Sequence, residues 1–157
     1  MTERLVDDGA LSTLASIGDC SLPLWRMCVA EAIGTFLLVL FGIGSVATAV
    51  LTDAHMGLWQ VATVWGFGVA LAIYATASIS GSHLNPAVSL SFAIFRRREF
   101  PATRLFAYWA AQLMGGGFAG MAVLFIFNPL LSQFELDNGI VRGEPGSERS
   151  AMMFGEY

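Results

Sequence analysis

The chain has 157 residues, of which 55% are hydrophobic and only 13% charged. Soluble domains carry about a quarter charged residues, so this composition, with a mean hydropathy of +0.64, argues against a soluble globular domain and against disorder. A net charge of −4, carried with eight arginines and no lysine, argues against a nucleic-acid partner, and Cys20 and Cys28 make no disulfide framework.

Residues 1–24 contain Glu3, Asp7 and Asp8 and lack the basic start and apolar core of a secretory signal. They read as a flexible cytoplasmic tail with a weak helical tendency over 10–17. Between Arg26 and Asp53 the single charge is Glu31. A membrane span needs roughly 20 apolar residues, and this run predicts one helix over about 24–51. No charge lies between Asp53 and Arg96. That stretch is too long for one span and too short for two with a loop. It predicts a full helix over about 58–80, a break at Gly81-Ser82-His83-Leu84-Asn85-Pro86, and a short apolar piece over 86–95 that stops at Arg96-Arg97-Arg98. At 1.5 Å per residue such a piece reaches about 15 Å, roughly half of a ~30 Å hydrocarbon core. It cannot span, so it enters and leaves on one side as a re-entrant half-helix. The uncharged run between Arg104 and Glu135 predicts a third span over about 105–127. The polar residues 132–157 read as a loop on the far side. The expected fold is therefore an all-α membrane protein with three transmembrane helices and one half-helix, embedded in a lipid bilayer.

Orientation follows from the arginines. Arg4, Arg26, Arg96, Arg97, Arg98 and Arg104 fall on one side of this layout, and Arg142 and Arg149 on the other. The excess of basic residues on cytoplasmic loops puts the amino terminus inside and residues 132–157 outside.

Asn85-Pro86-Ala87 carries the chemistry. Asn is a favoured helix N-cap and Pro a favoured first helical residue, and the proline holds Asn85 out of helical geometry. The half-helix then starts deep in the membrane, with unsatisfied amides and about half a positive charge at its end. Backbone 81–84 approaches that point without regular hydrogen bonds. Irregular backbone at membrane depth must be buried in protein or line a watery cavity. A capped, kinked helix in an ordinary bundle is the plain reading of Asn-Pro-Ala alone. An unwound run, a capped half-helix and an arginine loop in sequence are what a pore or transport site requires.

Ser80-Gly81-Ser82-His83-Leu84-Asn85-Pro86-Ala87-Val88 resembles the first signature of the major intrinsic proteins, the aquaporins. Ala30-Glu31-Ala32-Ile33-Gly34-Thr35-Phe36 is similar to the start of that family's first helix, and Val64-Trp65-Gly66-Phe67-Gly68-Val69-Ala70 to its second. Within the family the resemblance is to the glycerol facilitators. It implies a passive channel for glycerol and water. Asn85 offers its amide to the permeant, and the carbonyls of Gly81, Ser82, His83 and Leu84 form an acceptor ladder. Trp65 lines the selectivity constriction, and Glu31 holds the unwound backbone. Trp65 has a second reading as a packing or interfacial aromatic, and Glu31 as a first-turn acid favoured by the helix dipole. Trp59 reads as interfacial. His83 has no neighbours that would make a metal site, and no metal or cofactor is expected. Gln112 reads as bonding a neighbouring helix. Gly34, Gly42, Gly44, Gly115, Gly116, Gly117 and Gly120 read as points of close approach. No nucleotide loop, ionisable relay or coupling-ion site is visible, so neither a pump nor an enzyme is expected.

The family is built from two inverted repeats, and this sequence holds one Asn-Pro-Ala and one candidate half-helix. The resemblance therefore implies a partial form that ends before a second repeat. Its partner would be a second half-repeat or a full-length channel, in an assembly that could be tetrameric. The alternative function is a non-conducting half that associates with full-length channels and modulates them. A different transporter or receptor with an incidental motif is the remaining reading.

Overall fold

The computed structural model describes residues 22–52, 54 and 57–155, so the helical tendency expected over 10–17 lies outside the described residues. Among them the elements are helices α1 (Leu24–Leu51), α2 (Leu58–Ser80), α3 (Pro86–Phe95), α4 (Ala102–Asn138) and α5 (Glu148–Ala151), followed by a 3₁₀ turn at Met152–Phe154. Helices α1, α2 and α4 are long and apolar enough to cross a membrane. The half-helix α3 has 10 residues, about 15 Å at helical rise.

Helix α1 is the central element and packs along both α2 and α4, while α3 packs on α4. Small residues make this possible. Lipid tails compete equally for apolar side chains, so helices in a membrane associate by close van der Waals fit. A Cβ at Gly115 of α4 would overlap the carbonyl oxygen of Ala32, so here backbone meets backbone. Gly34 and Gly42 of α1 admit side chains instead: Leu84 and Thr76 lie over the first, and the Trp65 ring over the second. Gly44, Gly117 and Gly120 meet nothing within 4 Å among the described residues.

Two apolar clusters brace the ends. At one end Ala93, Phe100, Leu105 and Tyr108 are buried together, with Met27 and Cys28 against them. This joins the start of α1, the end of α3 and the start of α4. It sets Arg26, Arg96–Arg98 and Arg104 at one end of the bundle. At the other, Ile43, Ala47, Val123, Leu131 and Met153 form the second cluster.

The third span differs from its expected limits. It begins at Ala102 and runs to Asn138 through Pro129, about 55 Å in all. Proline removes one backbone donor without forcing an end. Beyond it Leu131 and Glu135 still face the bundle, which keeps the last turns in place. Helix α4 stops where Gly139 turns left-handed (φ 63°) and Ile140 N donates to Glu135 O at 2.8 Å. Residues 132–157 are therefore not all loop. The segment after Gly139 folds back through α5 and the 3₁₀ turn and seats Met153, fully buried, against α1. Arg142 Nε bonds both Glu135 carboxyl oxygens at 2.9 and 3.0 Å. That bond raises the Arg142 pKa above its ordinary value. The Arg142 side chain is 55% exposed, so the pair contributes below about 1 kcal/mol.

Candidate functional site

Helix α2 ends at Gly81, whose φ of 85° turns the chain out of the helix. Ser82 and Leu84 are also left-handed, with φ of 49° and 50°. Side chains other than glycine adopt this region reluctantly, at a cost of order 1–3 kcal/mol each. Local bonds must hold them, and the chief one is Glu31.

Glu31 is fully buried on α1. Its Oε1 accepts from Ser80 Oγ (2.7 Å) and His83 N (2.9 Å). Its Oε2 accepts from Leu84 N and Gln112 Nε2, at 2.7 and 2.8 Å. One carboxyl thus ties α1 to the end of α2, to the unwound backbone and to α4. Gln112 Nε2 also donates to Ser89 Oγ at 3.0 Å. Reversing the amide would set its carbonyl against the Glu31 carboxyl, so the orientation is fixed by charge, and Oε1 stays buried without a partner among the described residues.

Further bonds complete the cradle. Tyr108 OH donates to Ser80 O at 2.8 Å. Thr76 Oγ1 and Ser82 Oγ share a hydrogen bond of 2.7 Å, and Ser82 N donates to Ser80 Oγ at 3.1 Å. The His83 ring is buried among Phe92, Phe100 and Tyr108, and its Nδ1 bonds Ser89 Oγ at 3.1 Å.

The half-helix starts as its residues dictate. Asn85 is extended, its Oδ1 accepts from Ala87 N at 2.8 Å, and Pro86 takes the first helical position. Trp109 Nε1 donates to Pro86 O at 2.9 Å and pins this start to α4. The amides of Ser82, His83 and Leu84 are all engaged, whereas the carbonyls of Gly81, Ser82, His83 and Leu84 accept no hydrogen bond among the described residues. Asn85, Pro86 and Ala87 are exposed, and Asn85 Nδ2 is unpartnered there. The arrangement offers four acceptors in series and then one amide donor at a positive helix end. It suits a molecule carrying hydroxyl groups.

Glu31, Gly81–Leu84 and Asn85–Ala87 are thus brought together. Trp65 lies apart, fifteen residues before Ser80 and so roughly 22 Å back along α2. It is half-buried, with one face against Gly42 of α1. Trp59 is 67% exposed near the start of α2. Ser80, Ser89, Thr76, Tyr108 and Trp109 were not singled out from the sequence for this cradle. Each is a polar-tipped residue in an apolar run, and that is the signal: a polar group at membrane depth needs a partner, and the unwound loop has partners to offer.

Comparison with known proteins gives the chain a family. The Major intrinsic protein family profile matches residues 20–151. The chain is 40% identical over 134 residues to the glycerol uptake facilitator protein of Pseudomonas aeruginosa, covering 85% of this chain and 47% of that protein. It is 38% identical over 130 residues to the glycerol uptake facilitator protein of Escherichia coli (83% and 46%), and 35% identical over 134 residues to the propanediol uptake facilitator of Citrobacter freundii (85% and 49%). The chain spans about half the length of these curated relatives. Among solved structures it is similar to the aquaglyceroporin from Plasmodium falciparum, with a TM-score of 0.65 and 28% identity over 71% of this chain and 45% of that one. With three helices of membrane-crossing length and a family profile over most of its residues, this chain is an integral multi-pass membrane protein that belongs to the major intrinsic protein family, a family of passive channels and transporters and not of enzymes.

Proposed function

We propose that this chain supplies one half of the wall of a passive channel for glycerol and water. A second repeat, on further chain or on another molecule, would close the pore. The observation that carries this reading is the split of the unwound backbone: its amides are held inward by Ser80 and Glu31, and its four carbonyls are left free beside Asn85. A permeating hydroxyl would donate to successive carbonyls and accept from Asn85 Nδ2. The positive end of α3 would orient the file and oppose protons and cations. Trp65 is placed at the constriction, where an indole face suits the carbon side of a polyol. The glycerol facilitators among its relatives support glycerol as the permeant class.

The arginine-rich end is placed in the cytoplasm, with residues 1–24 as a cytoplasmic tail and the segment after Gly139 on the opposite side. The free carbonyls and Asn85 open to one side of the bundle, and lipid is a costly cover for them. Hence the chain by itself is expected not to conduct.

The test is glycerol and water flux by light scattering in proteoliposomes. The chain alone should match empty liposomes. Adding the carboxy-terminal half of a glycerol facilitator should raise glycerol flux at least tenfold, and Asn85→Asp should remove most of the gain. No gain with both halves shown to be in the bilayer would defeat the reading. A chain that instead lowers the flux of an intact facilitator would establish the modulating role.

A further inference from the structure

The described structure holds a second feature, remote from the unwound loop. At the arginine-rich end, a slot of about 300 Å³ opens between α1 and α2. Its walls are Val29, Ala30 and Ile33 from α1, and Ala75 and Ile79 from α2. From Arg26 at its mouth to Ile33 it extends about 10 Å along α1. Arg26 is exposed and makes no ion pair among the described residues, and its guanidinium carbon lies 5.3 Å from the Trp25 ring centroid. Trp25 is itself 63% exposed. An exposed Trp at the end of a membrane helix marks the level of the lipid headgroups, and an arginine stem runs along apolar surface while its charge stays at that level.

We infer that this slot is a binding site for one anionic phospholipid, with the phosphate on Arg26 and the upper part of an acyl chain between α1 and α2. Charge selects the occupant. The guanidinium of Arg26 stands at the slot's mouth with no ion-pair partner among the described residues, so a negative headgroup gains more there than a zwitterionic one. The depth suits a chain rather than a free anion, because everything below Arg26 except Thr76 is apolar. Thr76 is buried and its hydroxyl is already bonded to Ala72 O and Ser82 Oγ, so it asks no polar partner of the slot's occupant. Through Thr76, a lipid in the slot also packs against the residue that holds Ser82 of the unwound loop.

The experiment is native mass spectrometry of the purified full chain in detergent, titrated with phosphatidylglycerol or phosphatidylcholine of identical acyl chains. One phosphatidylglycerol should bind at least fivefold more tightly than phosphatidylcholine. Arg26→Gln should bring the two lipids level, and Arg97→Gln should leave the preference intact. Ala75→Trp, at an exposed position, should fill the slot and weaken both lipids at least fivefold with unchanged circular dichroism. The inference fails if Arg26→Gln keeps the preference, or if the preference moves with Arg97. It fails also if inorganic phosphate displaces the lipid at equal concentration, or if Ala75→Trp changes self-association and not lipid retention.

Discussion

Glu31 is the residue on which the unwound segment depends. Four donors converge on its two oxygens: Ser80 Oγ, the His83 and Leu84 amides and Gln112 Nε2. A buried donor left without its acceptor costs about 1–3 kcal/mol, and Ser82 and Leu84 are already in strained backbone. Glu31→Ala is therefore expected to lower the folded yield in size-exclusion chromatography severalfold and to reduce the thermal midpoint. An unchanged yield would return Glu31 to the role of a simple first-turn acid. Trp65 is a different kind of residue, because it makes no polar bond here and rests on Gly42. If its indole face meets the carbon side of the polyol at the constriction, Trp65→Phe in the complemented channel should cut the ratio of glycerol to water permeability severalfold by removing part of that apolar face. A constant ratio would leave it a packing aromatic. Asn85-Pro86-Ala87 was legible because capping chemistry is local. The Tyr108 and Trp109 bonds to Ser80 O and Pro86 O were not, because they join groups 28 and 23 residues apart and depend on how α4 is turned.

Among the elements, α1, α2 and the half-helix follow the charge-poor runs of the sequence, since a membrane punishes an unpartnered charge within a span, and Glu31 is kept inside α1 by the four donors that meet it. Helix α4 exceeds its limits. Past Pro129 its stability comes from Leu131 and Glu135 facing α1 and the returning tail, a tertiary effect that hydropathy does not contain. The glycines show the same division. Sequence marks them as contact points but not which are used. Gly115 meets Ala32 backbone, whereas Gly117, two residues on, meets nothing. Gly115→Val should separate α1 from α4 and leave little monodisperse protein, because backbone cannot move aside as a side chain does. Gly117→Val should be tolerated at near-native yield. Comparable losses from both would mean that a partner occupies the Gly117 face and that the α1–α4 approach is not the sensitive contact. That comparison, by fluorescence-detected chromatography of the two variants, separates packing within the bundle from packing between molecules.

At the scale of the whole molecule the arginines decide what can assemble with what. Arg26, Arg96, Arg97, Arg98 and Arg104 stand at one end, and Arg142 and Arg149 at the other. Arg142 is engaged by Glu135, and Arg149 by Asn138 Oδ1 at 3.0 Å. Such asymmetry is expected to direct insertion in one sense. Two copies inserted alike present their half-helices from the same side, whereas an inverted pair is needed for two helix ends to meet at the midplane. A cysteine at Val141 should accordingly react with an impermeant maleimide added outside intact cells, and one at Arg97 should react only after permeabilisation. Single orientation, together with no flux from the chain alone, is the joint expectation. Labelling of both positions from outside would mean dual insertion. In that case two copies of this one chain could face each other across the bilayer, and the free carbonyls of Gly81–Leu84 would need no second sequence to enclose them.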